Sequence, residues 1–173
     1  DVLLLDRAAF PRDKPCGDLI GARAVRLARG LGIDEAVLAA YPRLHGAWVS
    51  ADRGALDLVP MGPAGRWWLR GTEARVIPRR VFDAAMVESA RRAGARFARM
   101  TVRPVGPWDG RGRTVAVTAD GGEARLRARS VVVAGGYGCR VAADAAPAAT
   151  PGEPARGVAM RGYFAGVAAA PGR

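Results

Sequence analysis

Four consecutive apolar residues, Val2 to Leu5, stand near the start of the chain, and Asp6 ends the run. Such a continuous run is typical of a parallel strand that is covered on both faces. An acid at the tip of this kind of strand accepts hydrogen bonds from an adenosine ribose in nucleotide-binding folds. Their glycine-rich phosphate loop lies roughly 20 residues before that acid. We therefore expect the chain to be a fragment that begins after the loop.

Helical spacing of apolar positions predicts three helices, over residues 19–29, 34–41 and 79–93. Asp34 is a suitable N-cap for the second helix. Gly32 and Gly94 follow the first and third helices, at the place where glycine commonly ends a helix. The third helix has the clearest pattern, because its apolar residues recur at i, i+3 and i+4.

Extended segments make up most of the remaining chain. Two hairpins are predicted, one from 44–50 and 55–59 and one from 114–118 and 124–129. Further strands are predicted at 67–69, 76–77, 95–102, 130–136 and 157–164, and a Pro/Gly-rich loop is predicted between 103 and 112. Residues 130–136 read as a second buried strand that ends in glycines.

The order of these elements predicts an α/β fold with a parallel sheet, helices and an inserted antiparallel sheet. We assign residues 1–43 and 76–150 to a nucleotide-binding domain. Residues 44–75 and 155–173 then supply parts of an antiparallel substrate-binding sheet.

Composition and charge limit the classes of partner and binding site that we expect. The 27 Lys and Arg residues outnumber the 16 acids, which gives a net charge of +11. The arginines are dispersed and not interleaved with aromatic residues, so we expect no nucleic-acid partner. No apolar run reaches the ~18 residues of a membrane helix, so we expect a soluble chain. Cys16 and Cys139 are far apart and His45 is the single histidine. These residues predict no metal site, and a reducing cytoplasm is the default location.

Several motifs occur in one order and together resemble a known family. They are Leu5-Asp6-Arg7, Phe10 to Gly17 with its Lys-Pro-Cys-Gly turn, Arg79 to Asp83, Gly94-Ala95, Val133 to Gly136, and Arg161 to Phe164. This set resembles the geranylgeranyl reductase-type FAD-dependent oxidoreductases, within the superfamily that includes p-hydroxybenzoate hydroxylase. The resemblance implies an incomplete Rossmann-like FAD-binding domain that lacks its first strand and glycine loop. The later Gly-Asp motif of the family is also absent.

The resemblance also implies cofactor contacts. Asp6 would bind the adenosine ribose of FAD, Arg7 would lie beside the adenine, and Val102 would offer backbone atoms to it. Gly135 and Gly136 belong to the third motif. Gly135 stands where the family usually has an acid that helps to position FAD.

The flavin side of the cofactor would be approached by Arg12, Lys14, Cys16 and Gly17. Cys16 is also the candidate catalytic residue, near the flavin ring, and its alternative role is that of a small residue in a tight turn. Arg79 would contact the pyrophosphate or the ribityl chain. Arg79 and Arg80 begin a helix, where cations are unfavourable, and this favours an anion-binding role for at least one of them.

The leading functional expectation is a reductase in which reduced flavin delivers a hydride to an isoprenoid double bond. The alternatives are a flavin-dependent aromatic monooxygenase or halogenase, and an inactive fragment or basic non-catalytic binding module. The fold cannot separate the first two, and the Lys-Pro-Cys-Gly turn favours the reductase. The expected partners are an apolar isoprenoid or aromatic substrate and NAD(P)H or ferredoxin as electron donor. A lipid substrate would bring the protein to a membrane surface.

Overall fold

The computed structural model describes residues 1–44, 73–119, 121–136, 139, 141, 161–163 and 165–166, together with the backbone of 48–51 and 54–57. The chain forms two compact units. The first unit comprises residues 1–9 and 94–158, and the second comprises residues 10–93 and 159–173. The division into cofactor and substrate domains drawn from the sequence has other boundaries and stays a prediction.

The described helices and strands follow one another in the order β1 Leu3–Asp6, β2 Leu19–Ile20, α1 Ala22–Gly30, α2 Glu35–Ala39, β3 Trp48–Ala51, β4 Gly54–Asp57, β5 Arg75–Val76, α3 Arg79–Arg92, β6 Arg96–Arg99, β7 Thr101–Trp108, β8 Arg113–Ala119 and β9 Gly122–Ala128.

The first unit contains a parallel strand pair and an antiparallel sheet. Strand β1 pairs with β6 in parallel, with Asp6 opposite Arg99. The carbonyl of Asp6 accepts a hydrogen bond from the Met100 N–H at 2.9 Å. The chain then enters a three-stranded antiparallel sheet in the order β7-β8-β9, whose buried residues include Val115 and Val117. The prediction of an α/β fold with parallel and antiparallel sheets is therefore confirmed.

The strand predicted at 95–102 is confirmed in part, since β6 lies within it and β7 begins at Thr101, but the loop predicted after it was wrong. The extended chain breaks at Met100, and β7 continues through Pro104 and Pro107. Proline cannot donate a ladder hydrogen bond, so within sheets it is tolerated at edges and bulges. Strand β7 pairs only with β8 in the described sheet, and its register shifts on both sides of Val105. These shifts accommodate the two prolines.

The predicted buried strand at 130–136 was also wrong. These residues pair with no described strand, and Val132 is 90% exposed. An apolar run forms a strand only where a neighbour supplies the matching ladder of hydrogen bonds. The expectation that β1 is covered on both faces is likewise not met in the described unit, because Leu3 and Leu4 are exposed.

The second unit has its own apolar core. Its buried members are Ile20, Val25, Ala28, Ile33, Leu38 and Ile77. Helix α3 packs against this cluster through Val81, Phe82, Ala85 and Met86, which are residues on the face that the periodicity predicted. The core therefore fixes α3 against the helices that precede it, and it places the N-terminus of α3 next to the buried Ile77.

The helix predicted from residue 19 begins later. Leu19 and Ile20 pair as β2 with β5, with Leu19 opposite Val76, and Gly21 is extended. Strand pairing therefore overrides the helical spacing at these positions. Asp34 caps α2 as predicted, since its Oδ1 accepts a hydrogen bond from the Ala36 N–H at 2.9 Å.

The first predicted hairpin is confirmed in its backbone by the antiparallel pair β3–β4, and the second by β8–β9. The predicted strand at Trp67 and Trp68 lies outside the described residues. The same holds for most of the strand predicted at 157–164, and its described part, Arg161 to Tyr163, is not in a strand.

Candidate functional site

The Lys-Pro-Cys-Gly turn of the second unit ends at a buried carboxylate. Asp18 is 2% exposed and has a left-handed φ of 58°, a conformation that Asp adopts more readily than most residues. Its Oδ1 accepts a hydrogen bond from the Arg79 N–H at 3.2 Å, and its carbonyl accepts one from the Ile77 N–H at 2.9 Å. Asp18 therefore ties the end of the turn to the start of α3.

Arg161 contacts both the side chain of Asp18 and the backbone of the turn. Its Nη1 lies 3.1 Å from Asp18 Oδ1, 3.2 Å from the Lys14 carbonyl oxygen and 3.3 Å from that of Cys16. Its Nη2 donates to Asp13 Oδ2 at 2.7 Å. A single guanidinium therefore contacts the turn at four residues.

Tyr163 completes this cluster. Its hydroxyl donates to Asp18 Oδ2, and its ring lies 4.8 Å from the guanidinium carbon of Arg161. Its hydrogen bond to Asp18, and then its burial, raise the pKa of the Tyr163 hydroxyl. The hydroxyl thus stays protonated and remains a donor to the carboxylate.

Asp83 neutralises two of the predicted cofactor-binding arginines. Arg79, one helical turn before Asp83, donates from Nε and Nη2 to the two carboxylate oxygens at 2.7 and 2.9 Å. Arg12 Nη1 lies 3.4 Å from Asp83 Oδ2. By contrast, Arg80 is exposed and forms no ion pair within the described part of the chain. The charge of Arg80 acts on the Asp13 carboxyl, whose pKa it helps to lower.

Cys16 is half-buried in the turn, and two donors act on its thiol. The Asp18 backbone N–H and then the Arg79 guanidinium hydrogen-bond to it, and together they lower the pKa of Cys16. A lowered pKa increases the thiolate fraction at neutral pH. The turn therefore presents a partly exposed thiol whose pKa is lowered by two neighbouring donors.

An open groove of about 430 Å³ adjoins the turn, lined by Pro11, Asp13, Pro78, Arg80 and Tyr163. Its walls combine proline and tyrosine rings with one cation and one carboxylate. A larger groove, of about 530 Å³, lies on the β7–β9 sheet of the first unit. It contains none of the residues predicted to bind the cofactor, so we place no site there.

In the first unit, Asp6 stands at the carboxyl end of the parallel pair β1–β6. Ligands of open α/β sheets bind outside the carboxyl ends of the strands. Asp6 Oδ1 accepts a hydrogen bond from the Ala8 N–H at 2.9 Å, which closes a local turn. Arg7 is exposed, and Val102 lies in β7 opposite Val117. Asp6 therefore occupies the position that a ribose-binding acid requires.

Gly135 and Gly136 form a tight turn with Cys139 in the same unit. A Cβ atom on Gly135 would overlap Cys139 Sγ and would lie 2.9 Å from its Cβ. Gly136 has a φ of 79°, and its carbonyl accepts a hydrogen bond from the Cys139 N–H at 3.2 Å. The sulfur therefore fills the space that a side chain at position 135 would need.

The structure thus divides the predicted site residues between the units. Arg12, Lys14, Cys16, Gly17 and Arg79 belong to the second unit, and Asp6, Arg7, Val102, Gly135 and Gly136 belong to the first. Their cofactor contacts stay predictions.

Sequence reasoning missed the roles of Asp18, Asp83, Arg161 and Tyr163. For Asp18 the sequence did contain a signal, because the acid stands directly before the apolar pair Leu19-Ile20 and can be drawn into the core with it. The partner of Asp18 is 143 residues away in the sequence, and no local pattern identifies it.

No group of three metal-ligating side chains occurs among the described residues. Of the helices that the structure describes, none has the length and apolar character needed to span a bilayer.

Comparison with known proteins gives a partial sequence match and a broader structural one. No family model matches the chain. A menaquinone reductase of Mycobacterium tuberculosis is 42% identical over 64 residues, which cover 37% of this chain and 15% of that protein. The chain thus matches only a small part of this relative.

Two solved structures are similar in fold. The myxobacterial chondrochloren halogenase CndH, described as a variant of FAD-dependent halogenases, is 26% identical with a TM-score of 0.55, over 74% of this chain and 30% of that one. The flavin-dependent monooxygenase PieE, solved with FAD and substrate, is 21% identical with a TM-score of 0.65, over 83% of this chain and 27% of that one. The fold is therefore that of flavin-dependent enzymes.

Proposed function

We propose that this chain is part of an FAD-dependent oxidoreductase. The observation that carries the proposal is the parallel pair β1–β6 ending at Asp6, in a chain whose fold matches that of flavin-dependent enzymes. Enzymes similar in fold use FAD, in agreement with the cofactor expected from the sequence. The chain spans less than a third of the length of these structures, so the activity of the whole protein is part of the proposal.

We propose cofactor contacts for each unit separately, from the described residues of that unit. Asp6 is suited to accept hydrogen bonds from the ribose hydroxyls. In the second unit, Arg80 is an exposed cation at the start of α3 and is the proposed partner of an anionic phosphate. Gly135 leaves no room for a side chain beside Cys139 and exposes backbone instead. Bound FAD would supply the redox chemistry, while these residues bind and orient it.

The cofactor proposal is tested by expressing the chain with its flanking coding sequence and measuring FAD binding by flavin fluorescence. Asp6→Ala removes the predicted ribose acceptor. We expect it to weaken FAD binding by about 10- to 100-fold, the range for a hydrogen bond to a charged group. Glu123→Ala, which removes an exposed acid of the same unit, is the matched control. Equal affinities in the two variants, or no flavin uptake by the parent protein, would contradict the proposal.

For the reaction, we propose reduction of an apolar substrate, of the geranylgeranyl reductase type. Bound reduced flavin would supply the hydride for reduction of an isoprenoid double bond, and the protein would bind and orient the two. The partial match to a menaquinone reductase and the Lys-Pro-Cys-Gly turn favour a reductase. NAD(P)H or ferredoxin is the proposed electron donor.

The second candidate is an aromatic monooxygenase or halogenase, which the structural neighbours favour. The two classes differ in their need for oxygen. Reduced protein is mixed anaerobically with an apolar substrate that contains an isoprenoid double bond, and flavin absorbance is recorded. A reductase reoxidises its flavin under these conditions, whereas an oxygenase requires air. Salt-sensitive DNA binding without flavin uptake would instead favour the basic binding module.

A further inference from the structure

We infer that Arg161 is a positioning residue whose guanidinium, anchored on Asp18, fixes the backbone of the Lys14–Gly17 turn. The two segments are separated by more than 140 residues in the sequence. The inference rests on the proposed function only in assuming that this turn faces the cofactor.

The first argument is the set of acceptors around Arg161. Carbonyl oxygens of Lys14 and Cys16 and a carboxylate oxygen of Asp18 all lie within 3.3 Å of Nη1. Because two of these acceptors belong to the main chain, the contact restrains backbone dihedral angles as well as side-chain positions. A guanidinium presents several donors in one rigid plane, which the point charge of a lysine ammonium cannot reproduce.

The second argument is the anchor itself. Asp18 is nearly inaccessible to solvent, and its carboxylate accepts from the Arg79 N–H, Arg161 and the Tyr163 hydroxyl. A buried carboxylate is tolerated only when it is paired and hydrogen-bonded. The side chain of Arg161 is itself only 19% exposed. The pair is therefore held in one arrangement, and the turn attached to it is held as well.

The consequence concerns Cys16. Its thiol faces the Asp18 backbone N–H and the Arg79 side chain, while Arg161 holds its carbonyl. Two charged groups act on the thiol: the Arg79 guanidinium lowers the pKa of Cys16, and the Asp18 carboxylate opposes this by raising it. If Arg161 no longer holds the turn, the thiol loses its fixed position relative to both donors.

The test is the pH dependence of Cys16 alkylation by iodoacetamide, followed residue by residue with mass spectrometry. Cys139 serves as an internal reference because it belongs to the other unit. The variants are Arg161→Gln, Arg161→Lys and the control Arg26→Gln, which removes an exposed arginine from α1. We expect Arg161→Gln to move the Cys16 midpoint up toward the ordinary thiol value of about 8.5, with Cys139 unchanged. Arg26→Gln should have no effect.

Arg161→Lys separates geometry from charge. We expect its Cys16 midpoint to resemble that of Arg161→Gln, because lysine keeps the charge and loses the planar donors. If Arg161→Gln unfolds, both cysteines will react freely, and Arg161→Lys then decides the question. Full rescue by lysine, or equal Cys16 midpoints in Arg161→Gln and Arg26→Gln, would overturn the inference. Alkylation requires no flavin, so these outcomes can be read even if the protein binds no FAD.

Discussion

Each unit of this protein contains a glycine turn with a cysteine, and the two turns are held in different ways. The Cys16 turn of the second unit is restrained by charge, through Asp18 and Arg161. The Cys139 turn of the first unit is restrained by close contact, since the sulfur sits where a Gly135 side chain would be. The first arrangement depends on distant residues, and the second depends on residues only four positions apart.

The difference shows what each turn can tolerate. A turn held by a buried ion pair is sensitive to the removal of a partner, because the remaining charge is left uncompensated. A turn held by close contact is sensitive to added volume. The Cys16 turn should therefore fail on truncation of its partners, and the Cys139 turn should fail on enlargement of its glycine.

The largest expected effect follows Asp18→Ala. The substitution leaves Arg161, the Arg79 N–H and the Tyr163 hydroxyl without their common acceptor, and it places Ala at a left-handed φ. We expect the free energy of unfolding to fall by about 3–5 kcal/mol, the range for a broken buried pair. Urea denaturation of the wild type and the variant measures this difference in the free energy of unfolding.

Asp18→Asn is the matched control for that experiment. Asparagine adopts the left-handed region readily and keeps an oxygen for the Arg79 N–H. The substitution therefore removes the negative charge and keeps the size and shape of the side chain. Its destabilisation should be smaller than that of Asp18→Ala. A loss below about 1 kcal/mol in Asp18→Ala would show that the buried pair does not hold the turn.

A smaller effect is expected for Gly135→Ala in the first unit. Its methyl group would meet Cys139 Sγ and Cβ at distances below 3 Å. Overpacking of this kind typically costs about 1–3 kcal/mol, and the exposure of this segment places the expected loss at the lower end. The free energy of unfolding, again from urea denaturation, measures it.

The double variant Gly135→Ala with Cys139→Gly tests the cause, because removing the whole cysteine side chain removes both contacts. Relative to the single variant Cys139→Gly, adding Gly135→Ala should cause no further loss in the free energy of unfolding. Cys139→Ala should recover less of the lost stability, since the Cβ at position 139 remains 2.9 Å from the added Cβ at position 135. If neither substitution changes the loss, the contact with Cys139 is not what restricts position 135.

The smallest expected effect concerns pH and Asp13, at the exposed edge of the Cys16 turn. Its hydrogen bond from Arg161 lowers the pKa of Asp13 below the ordinary value of 3.8. A carboxyl with a lowered folded-state pKa contributes stability above its unfolded pKa, and this contribution disappears as the pH falls through the folded value. Wild-type protein should therefore lose more stability than Asp13→Asn on acidification below about pH 4.

Urea midpoints of the two proteins at a series of pH values measure this difference. Glu35 and Glu73, whose pKa values arginine side chains also lower, contribute equally to both proteins and cancel. Identical pH profiles would show that the Asp13–Arg161 contact adds nothing in solution, as is common for exposed ion pairs.

The sequence predicted those features whose cause is local. Helix α3 follows from apolar residues spaced at one helical turn, and the Asp34 cap follows from a single side chain. Asp6 was placed at a strand end because the apolar run and the acid are adjacent. In each case the residues that interact lie within a few positions of one another.

Features that depend on distant partners were missed. Strand β7 contains two prolines and exists because β8 pairs with it, whereas the apolar run at 130–136 finds no partner among the described strands. The junction of Asp18 with Arg161 and Tyr163 joins segments that no local spacing relates. The sequence therefore named candidate side chains, whose cofactor contacts stay predictions, and it missed the distant residues that hold them in place.

That junction also has a consequence for synthesis on the ribosome. Cys16 is made 145 residues before Arg161, which corresponds to roughly 7–30 s of translation. During that interval the emerging turn lacks its distant partner, and its thiol is open to oxidants and chaperones. The turn can therefore adopt its fixed conformation only after the nascent chain has grown past residue 161.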